Sequence, residues 1–221
     1  MGNRARLHCA IAISFVAAGS AAAQLPRQID APVLENTFLR AHVVTLNTVE
    51  HYRSMVDGPQ LVYCLGALAI ARSDDEGAVS RCRRNELVFQ STGWLDFKAD
   101  GDPRPELLIV EIKHRPAGDF FVTRNDATRV VPDVYRVMLD NEAVRVVEVH
   151  LEALRRTASH RQVGRTFEWP LTSATLRLTG AGAARNLSLL ARVPRWTEDA
   201  VEQAVENVGM NDLRAIRIEI K

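Results

Sequence analysis

The chain of 221 residues carries 28 Lys and Arg against 27 Asp and Glu, and 47% of it is hydrophobic. So even a balance, with no basic stripe or block, argues against a nucleic-acid partner. The length is enough to fill two small cores.

Residues 1–23 read as an export signal. Arg4 and Arg6 stand in front, an apolar stretch runs from Cys9 to Ala18, and Ala21, Ala22 and Ala23 make a small-residue cleavage site before Gln24. The stretch is far shorter than the ~20 residues a spanning helix needs. Cys9 precedes most of it and is badly placed for lipid attachment. The predicted mature chain is exported, periplasmic or secreted, and free of the membrane. It keeps 198 residues, with 26 basic and 27 acidic side chains.

Short strands with turns between them follow. Alternation and β-branched residues predict strands at 37–46, 61–72, 79–90 and 106–113, then at 143–151, 166–179, 186–196 and 213–221. The acidic turn "DDEG" at 74–77 and "TGAGAARN" at 179–186 occupy matching places. "EDAVEQAVENVG" at 198–209 has apolar residues at helical spacing, but an extended reading agrees better with its counterpart at 91–101, which holds Gly93. The segment 114–133, with two prolines, fits a crossing between domains.

Two cysteines survive processing, Cys64 and Cys82. Export favours a disulfide. A hairpin centred on 74–77 pairs Cys64 with a residue near 87 and Cys82 with one near 69, several residues out of register, so the expectation is two unpaired cysteines.

The chain repeats itself. "RAIRIEIK" at 214–221 echoes "LLIVEIK" at 107–113, each with an apolar face and a charged face that reads as solvent-exposed. "LENTFLRAHVVTL" at 34–46 matches "LDNEAVRVVEVHL" at 139–151: Leu34 falls on Leu139, Asn36 on Asn141, Arg40 on Arg145, Val44 on Val149. Two ordered anchors at nearly one offset mark a duplication of a unit of about a hundred residues.

"LENTFLRAHVVTL", "LVYCLGALAI", "NELVF" and "LLIVEIK", with "LDNEAVRVVEVHL", "TLRLT", "RWTEDAVEQAVENVG" and "RAIRIEIK", resemble successive strands of the cupin family over nearly all of 30–221. The resemblance implies an all-β chain of two tandem cupin-type double-stranded β-helix (jelly-roll) barrels, one in 24–126 and the other in 127–221. It also implies where a metal would sit, held by three His and one Glu. In the first unit those positions fall around Arg53–Val56, Gln60, Leu95 and Ala99, with His51 nearby, and none suits an ion. In the second they fall on His160, Gln162, a place near Glu168, and Gln203, with Asn207 at the Asn position. One imidazole and two amides make a poor transition-metal site, so no metal and no cofactor is expected.

These side chains can still donate and accept hydrogen bonds, which suits a neutral polar ligand. The candidate ligand-binding set is therefore His160, Gln162, Glu168, Gln203 and Asn207, with Trp169 and Trp196 as rings to line the second barrel. The competing readings are satisfied core or rim residues, and an enzyme. The enzyme is either a metal-dependent dioxygenase or isomerase, or a metal-free sugar isomerase or epimerase using His160 with Glu168. His42 and His150 read as surface or strand-face histidines, and Glu198 and Asp199 as solvated. Homo-oligomers are allowed by the sequence. No phosphate loop, nucleophile elbow or CxxC occurs.

Overall fold

A computed structural model describes residues 31–47, 51–72, 79–101, 104–114, 120 and 122–221. The predicted export signal and the 74–77 turn lie outside these residues. Among them, no helix is long and apolar enough to cross a membrane.

The first half contains β1 (Leu34–Glu35), β2 (Leu39–Thr45), β3 (His51–Val56), β4 (Gln60–Cys64), β5 (Leu68–Arg72), β6 (Val79–Cys82), β7 (Leu87–Gln90), β8 (Gly93–Ala99) and β9 (Glu106–Ile112). They form two antiparallel sheets, ordered β1-β2-β9-β4-β7 and β3-β8-β5-β6. One turn of helix, α1 (Ala127–Val130), is capped by the Asp126 carboxylate. It leads into β10 (Tyr135–Asp140), β11 (Val144–Leu151), β12 (His160–Gln162), β13 (Thr166–Pro170), β14 (Ala174–Gly180), β15 (Arg185–Leu189), β16 (Arg195–Thr197), β17 (Val201–Asn207) and β18 (Leu213–Ile220).

These pair as β10-β11-β18-β13-β16 and β12-β17-β14-β15. Every strand of the first half therefore reappears nine strands later with the same neighbours, and the chain is two barrels in tandem. The repeated asparagines have a physical cause. Asn36 Oδ1 accepts from the backbone N–H of Phe38 and Leu39 at 2.8 and 3.0 Å, and Asn141 Oδ1 does the same for Ala143 and Val144 at 2.9 and 3.0 Å. Each side chain holds the tight turn into the second strand of its unit.

Four of the long predicted strands are each two strands. The run at 61–72 divides into β4 and β5, 79–90 into β6 and β7, 166–179 into β13 and β14, and 186–196 into β15 and β16. Each division carries the chain from one sheet to the other and closes the barrel. Within segment 198–209 the chain forms the strand β17 rather than a helix.

The same division corrects the cysteine expectation: Cys64 and Cys82 form a disulfide, with Cα atoms 6.3 Å apart. The pairings inferred from the turn do occur, since Cys82 pairs with Leu68 and the Cys64 N–H bonds to the Glu86 carbonyl. However, β4 and β6 lie in facing sheets rather than one hairpin, so the two sulfurs meet across the barrel interior.

Three clusters of buried residues organise the chain. One fills the first barrel, from Val62, Leu68, Leu95 and Ile109 among others, around Cys64 and Cys82. A second fills part of the second barrel, from Val149, Leu176, Leu178 and Leu213 among others. The third joins the barrels, where Leu108, Val110 and Ile112 of β9 pack in one cluster with Ile216, Ile218 and Ile220 of β18. The two echoed segments thus bury their apolar faces in one shared core.

That packing overturns the expectation of a solvent-facing charged side on β18. The apolar face meets the other barrel, so the alternate residues point inward, and both Arg217 and Glu219 are buried.

Candidate functional site

A cavity of about 50 Å³ lies inside the second barrel, walled by residues of both sheets. Its polar wall grows from the alternation of three neighbouring strands. On β13, Phe167 and Trp169 face the shared core, so Thr166 and Glu168 face the cavity. On β16, Arg195 and Thr197 face it on either side of Trp196, and β18 contributes Arg217.

Glu168 pairs in register with Arg195 on one side and Arg217 on the other. Its carboxylate joins them, with Oε2 accepting from Arg195 Nη1 at 3.2 Å and Oε1 from Arg217 Nη2 at 3.1 Å. Burial opposes the charge of Arg217, but Glu168 first, then Tyr135 and Glu219, outweigh it and hold the guanidinium protonated. Arg217 also sits 5.3 Å from the centroid of the Tyr135 ring. Burial pushes the Tyr135 hydroxyl pKa up. Just before β13, a Cβ on Gly164 would lie 2.3 Å from the Glu198 carbonyl oxygen, so only glycine fits between these segments.

The same row in the first barrel is aliphatic. Val62, at the third position of β4 as Glu168 is of β13, pairs with Val88 and Ile109. The row Val88–Val62–Ile109 of one barrel is therefore Arg195–Glu168–Arg217 in the other. On the facing sheet, Gln203 occupies the third position of β17, where β8 has the buried Leu95.

Among the residues expected from the sequence, Gln162, Glu168 and Gln203 line the cavity. His160 is fully buried and pairs with Gln203, but it is not part of the cavity wall. Its Nδ1 donates to the Ala158 carbonyl at 2.9 Å, which leaves Nε2 to face the Gln162 amide at 3.4 Å, and the ring packs on Tyr135. Burial, mainly, lowers the His160 pKa and keeps the ring neutral.

Three others lie elsewhere. Trp169 is buried in the shared core between the barrels. Trp196 packs against that core, stacks on Phe38 at 5.7 Å, and donates to Glu198 at 2.6 Å. Neither tryptophan lines the second barrel, because both stand on the outward face of strands whose inward face makes the cavity. Asn207 is used by the backbone: Nδ2 donates to the Leu151 and Asn211 carbonyls, and Oδ1 accepts from the Gly209 N–H.

Of the other histidines, His42 is buried near the Tyr52 hydroxyl, while His150 is exposed beside Asp212. Arg185, Arg195, Arg217 and Tyr135, which are not among the residues expected from the sequence, also line the cavity. Aligning the two copies would have exposed Arg217, which falls on Ile109 at the offset of 108.

No protein-family model matches the chain, and neither does any curated protein. Solved structures do. Oxalate decarboxylase from Bacillus subtilis is similar over 84% of this chain and 70% of its own, at 11% identity and a TM-score of 0.60. The chain has the tandem cupin fold. A cupin 2 conserved barrel domain protein from Leptotrichia buccalis is similar over 85% of this chain and 86% of its own, at 11% identity and a TM-score of 0.52. Identities this low speak for the cupin fold alone.

The metal that a cupin barrel implies does not fit these side chains. His160 has one nitrogen left, its neighbours Gln162 and Gln203 offer weakly ligating amides, and Glu168 is held by two guanidinium groups whose charge would repel a cation. Among the described residues, no three His, Cys, Asp or Glu side chains are placed to hold an ion.

Proposed function

We propose that this chain is an exported tandem cupin protein that binds a small organic molecule in its second barrel, without a metal and without converting it, the first barrel serving as support. The observation that carries this reading is the exchange of Val88–Val62–Ile109 for Arg195–Glu168–Arg217 on one framework. Desolvating Glu168 and Arg217, both buried, costs several kcal/mol each before pairing offsets it, and Arg195 joins them from a partly exposed position. A barrel that needs only to be filled is served by the aliphatic row. Polar groups kept around a cavity are the usual construction of a small-molecule site.

The acid–base alternative asks for His160 and Glu168 to act together on a sugar. Glu168 is engaged by two arginines, and His160 lies outside the cavity wall with Nδ1 committed to a carbonyl. Both groups are arranged for positioning rather than proton transfer.

The test is thermal unfolding of the purified full chain against a panel of small organic molecules, alongside elemental analysis. The reading expects at least one compound to raise the midpoint reproducibly and no stoichiometric Fe, Mn, Ni or Zn. One equivalent of such a metal, lost in His160→Ala, would overturn it in favour of the metal-dependent enzyme. Export is tested by the new N-terminus of the secreted or periplasmic form, expected at Gln24.

A further inference from the structure

We infer that the ligand of the second barrel is a short-chain carboxylate, bound with its charged end on Arg217 and its carbon end on the aliphatic wall. This deepens the small-molecule reading above and rests on it. Arg217 is 6% exposed, and its Nε and Nη1 have no hydrogen-bond partner among the described residues. Glu168 takes only Nη2. A buried guanidinium with open donors is an anion site waiting for acceptors.

The surrounding charge agrees. Three arginines, Arg185, Arg195 and Arg217, and a single carboxylate, Glu168, line the cavity. Glu219, on the same strand face, also acts on Arg217, but it bonds to Arg145, which Asp126 holds as well, so four arginines still face three carboxylates. The site therefore keeps an excess of positive charge that a monoanion neutralises.

Shape and polarity narrow the class. About 50 Å³ is well below the roughly 150 Å³ of a cavity that takes benzene, so the ligand has a handful of heavy atoms. Val149, Leu176, Leu178 and Val205 form part of the wall, and an ion that is oxygen on every side, such as sulfate, would leave them against polar atoms. Gln162 and Gln203 offer amide donors to a second oxygen.

The experiment is calorimetric titration of the full chain with sodium propionate, with propionamide as the uncharged isostere, and with sodium sulfate. Propionate is expected to bind at least tenfold more tightly than either of the others. Arg217→Met is expected to weaken propionate more than tenfold. If Arg217→Met fails to fold, the exposed Arg185→Ala carries the test, with a several-fold loss for propionate that leaves any propionamide binding unchanged. Equal binding of propionate and propionamide overturns the carboxylate assignment but leaves small-molecule binding standing. Sulfate binding as tightly as propionate overturns the class in favour of a tetrahedral oxyanion. If none of the three probes binds while another compound raises the unfolding midpoint, this inference alone fails; if no compound does, both fail.

Discussion

Glu168 and Arg217 face each other across β13 and β18, joined at 3.1 Å inside the second barrel, at the position where the first barrel joins Val62 to Ile109. One framework thus carries an aliphatic pair and a charged pair at equivalent points. Nothing in the backbone pairing requires charge there, because the first copy closes without it. The charged row carries a desolvation cost that the aliphatic row avoids, and it borders a cavity.

The disulfide spans 18 residues between β4 and β6. Closing a loop of that length in the unfolded chain is worth about 3 kcal/mol. Cys64→Ala/Cys82→Ala is expected to lower the stability by roughly that amount in urea denaturation, and reductant is expected to do the same to the wild type. Unchanged stability in both would show that the bridge does not form in solution.

His42 and His160 both have pKa values lowered chiefly by burial. A base depressed in the folded state protonates first in the unfolded chain, so its stability contribution is complete above the unfolded value near 6.5 and declines as pH falls below it. Stability is expected to drop between pH 6.5 and 5, by up to about 1.4 kcal/mol per pH unit for each ring. Acids such as Glu35, held down to about 2 by Arg40 and then Lys113, act only at lower pH, whereas the Glu219 carboxyl, pushed up by burial, stabilises the fold as pH falls and so works against the histidine slope. His42→Asn/His160→Asn should flatten the slope in that window. An unchanged slope would place its origin elsewhere.

Trp169 belongs to the core between the barrels, not to the cavity. Trp169→Ala is expected to cost about 3–5 kcal/mol, as for a large buried aromatic, and to leave the ligand affinity of the folded protein within a few-fold. Trp196→Ala, at a half-exposed position, should cost less. Loss of binding at full stability in Trp169→Ala would return that ring to the site.

Much of the fold was legible because its signals are local. Asn36 and Asn141 make the same turn, and Ile216, Ile218 and Ile220 alternate with charged residues along β18. The division of 61–72 was not legible, since the run is mostly apolar on both sides of Leu65–Ala67 and alternation cannot report a change of sheet. That one omission also misplaced Cys64 relative to Cys82. The polar members Gln162, Glu168 and Gln203 could be found because they fall at or near the places where the cupin resemblance puts metal ligands. Arg217 could not, because a charged residue alternating with isoleucines ordinarily faces water, and here the isoleucines face a second barrel instead. Trp169 was misplaced for the same reason.

The most direct test is to build the first barrel's row into the second, as Glu168→Val/Arg195→Val/Arg217→Ile, and to measure its unfolding free energy without ligand. Glu168 and Arg217 are buried and Arg195 is partly exposed, and replacing a buried ion pair with aliphatic residues is often neutral or stabilising by roughly 1–4 kcal/mol. The account predicts a folded protein at least as stable as the wild type that no longer responds to the ligand. A triple variant weakened by more than about 3 kcal/mol would show that the charged row holds the barrel together, contradicting the claim that it is kept for binding.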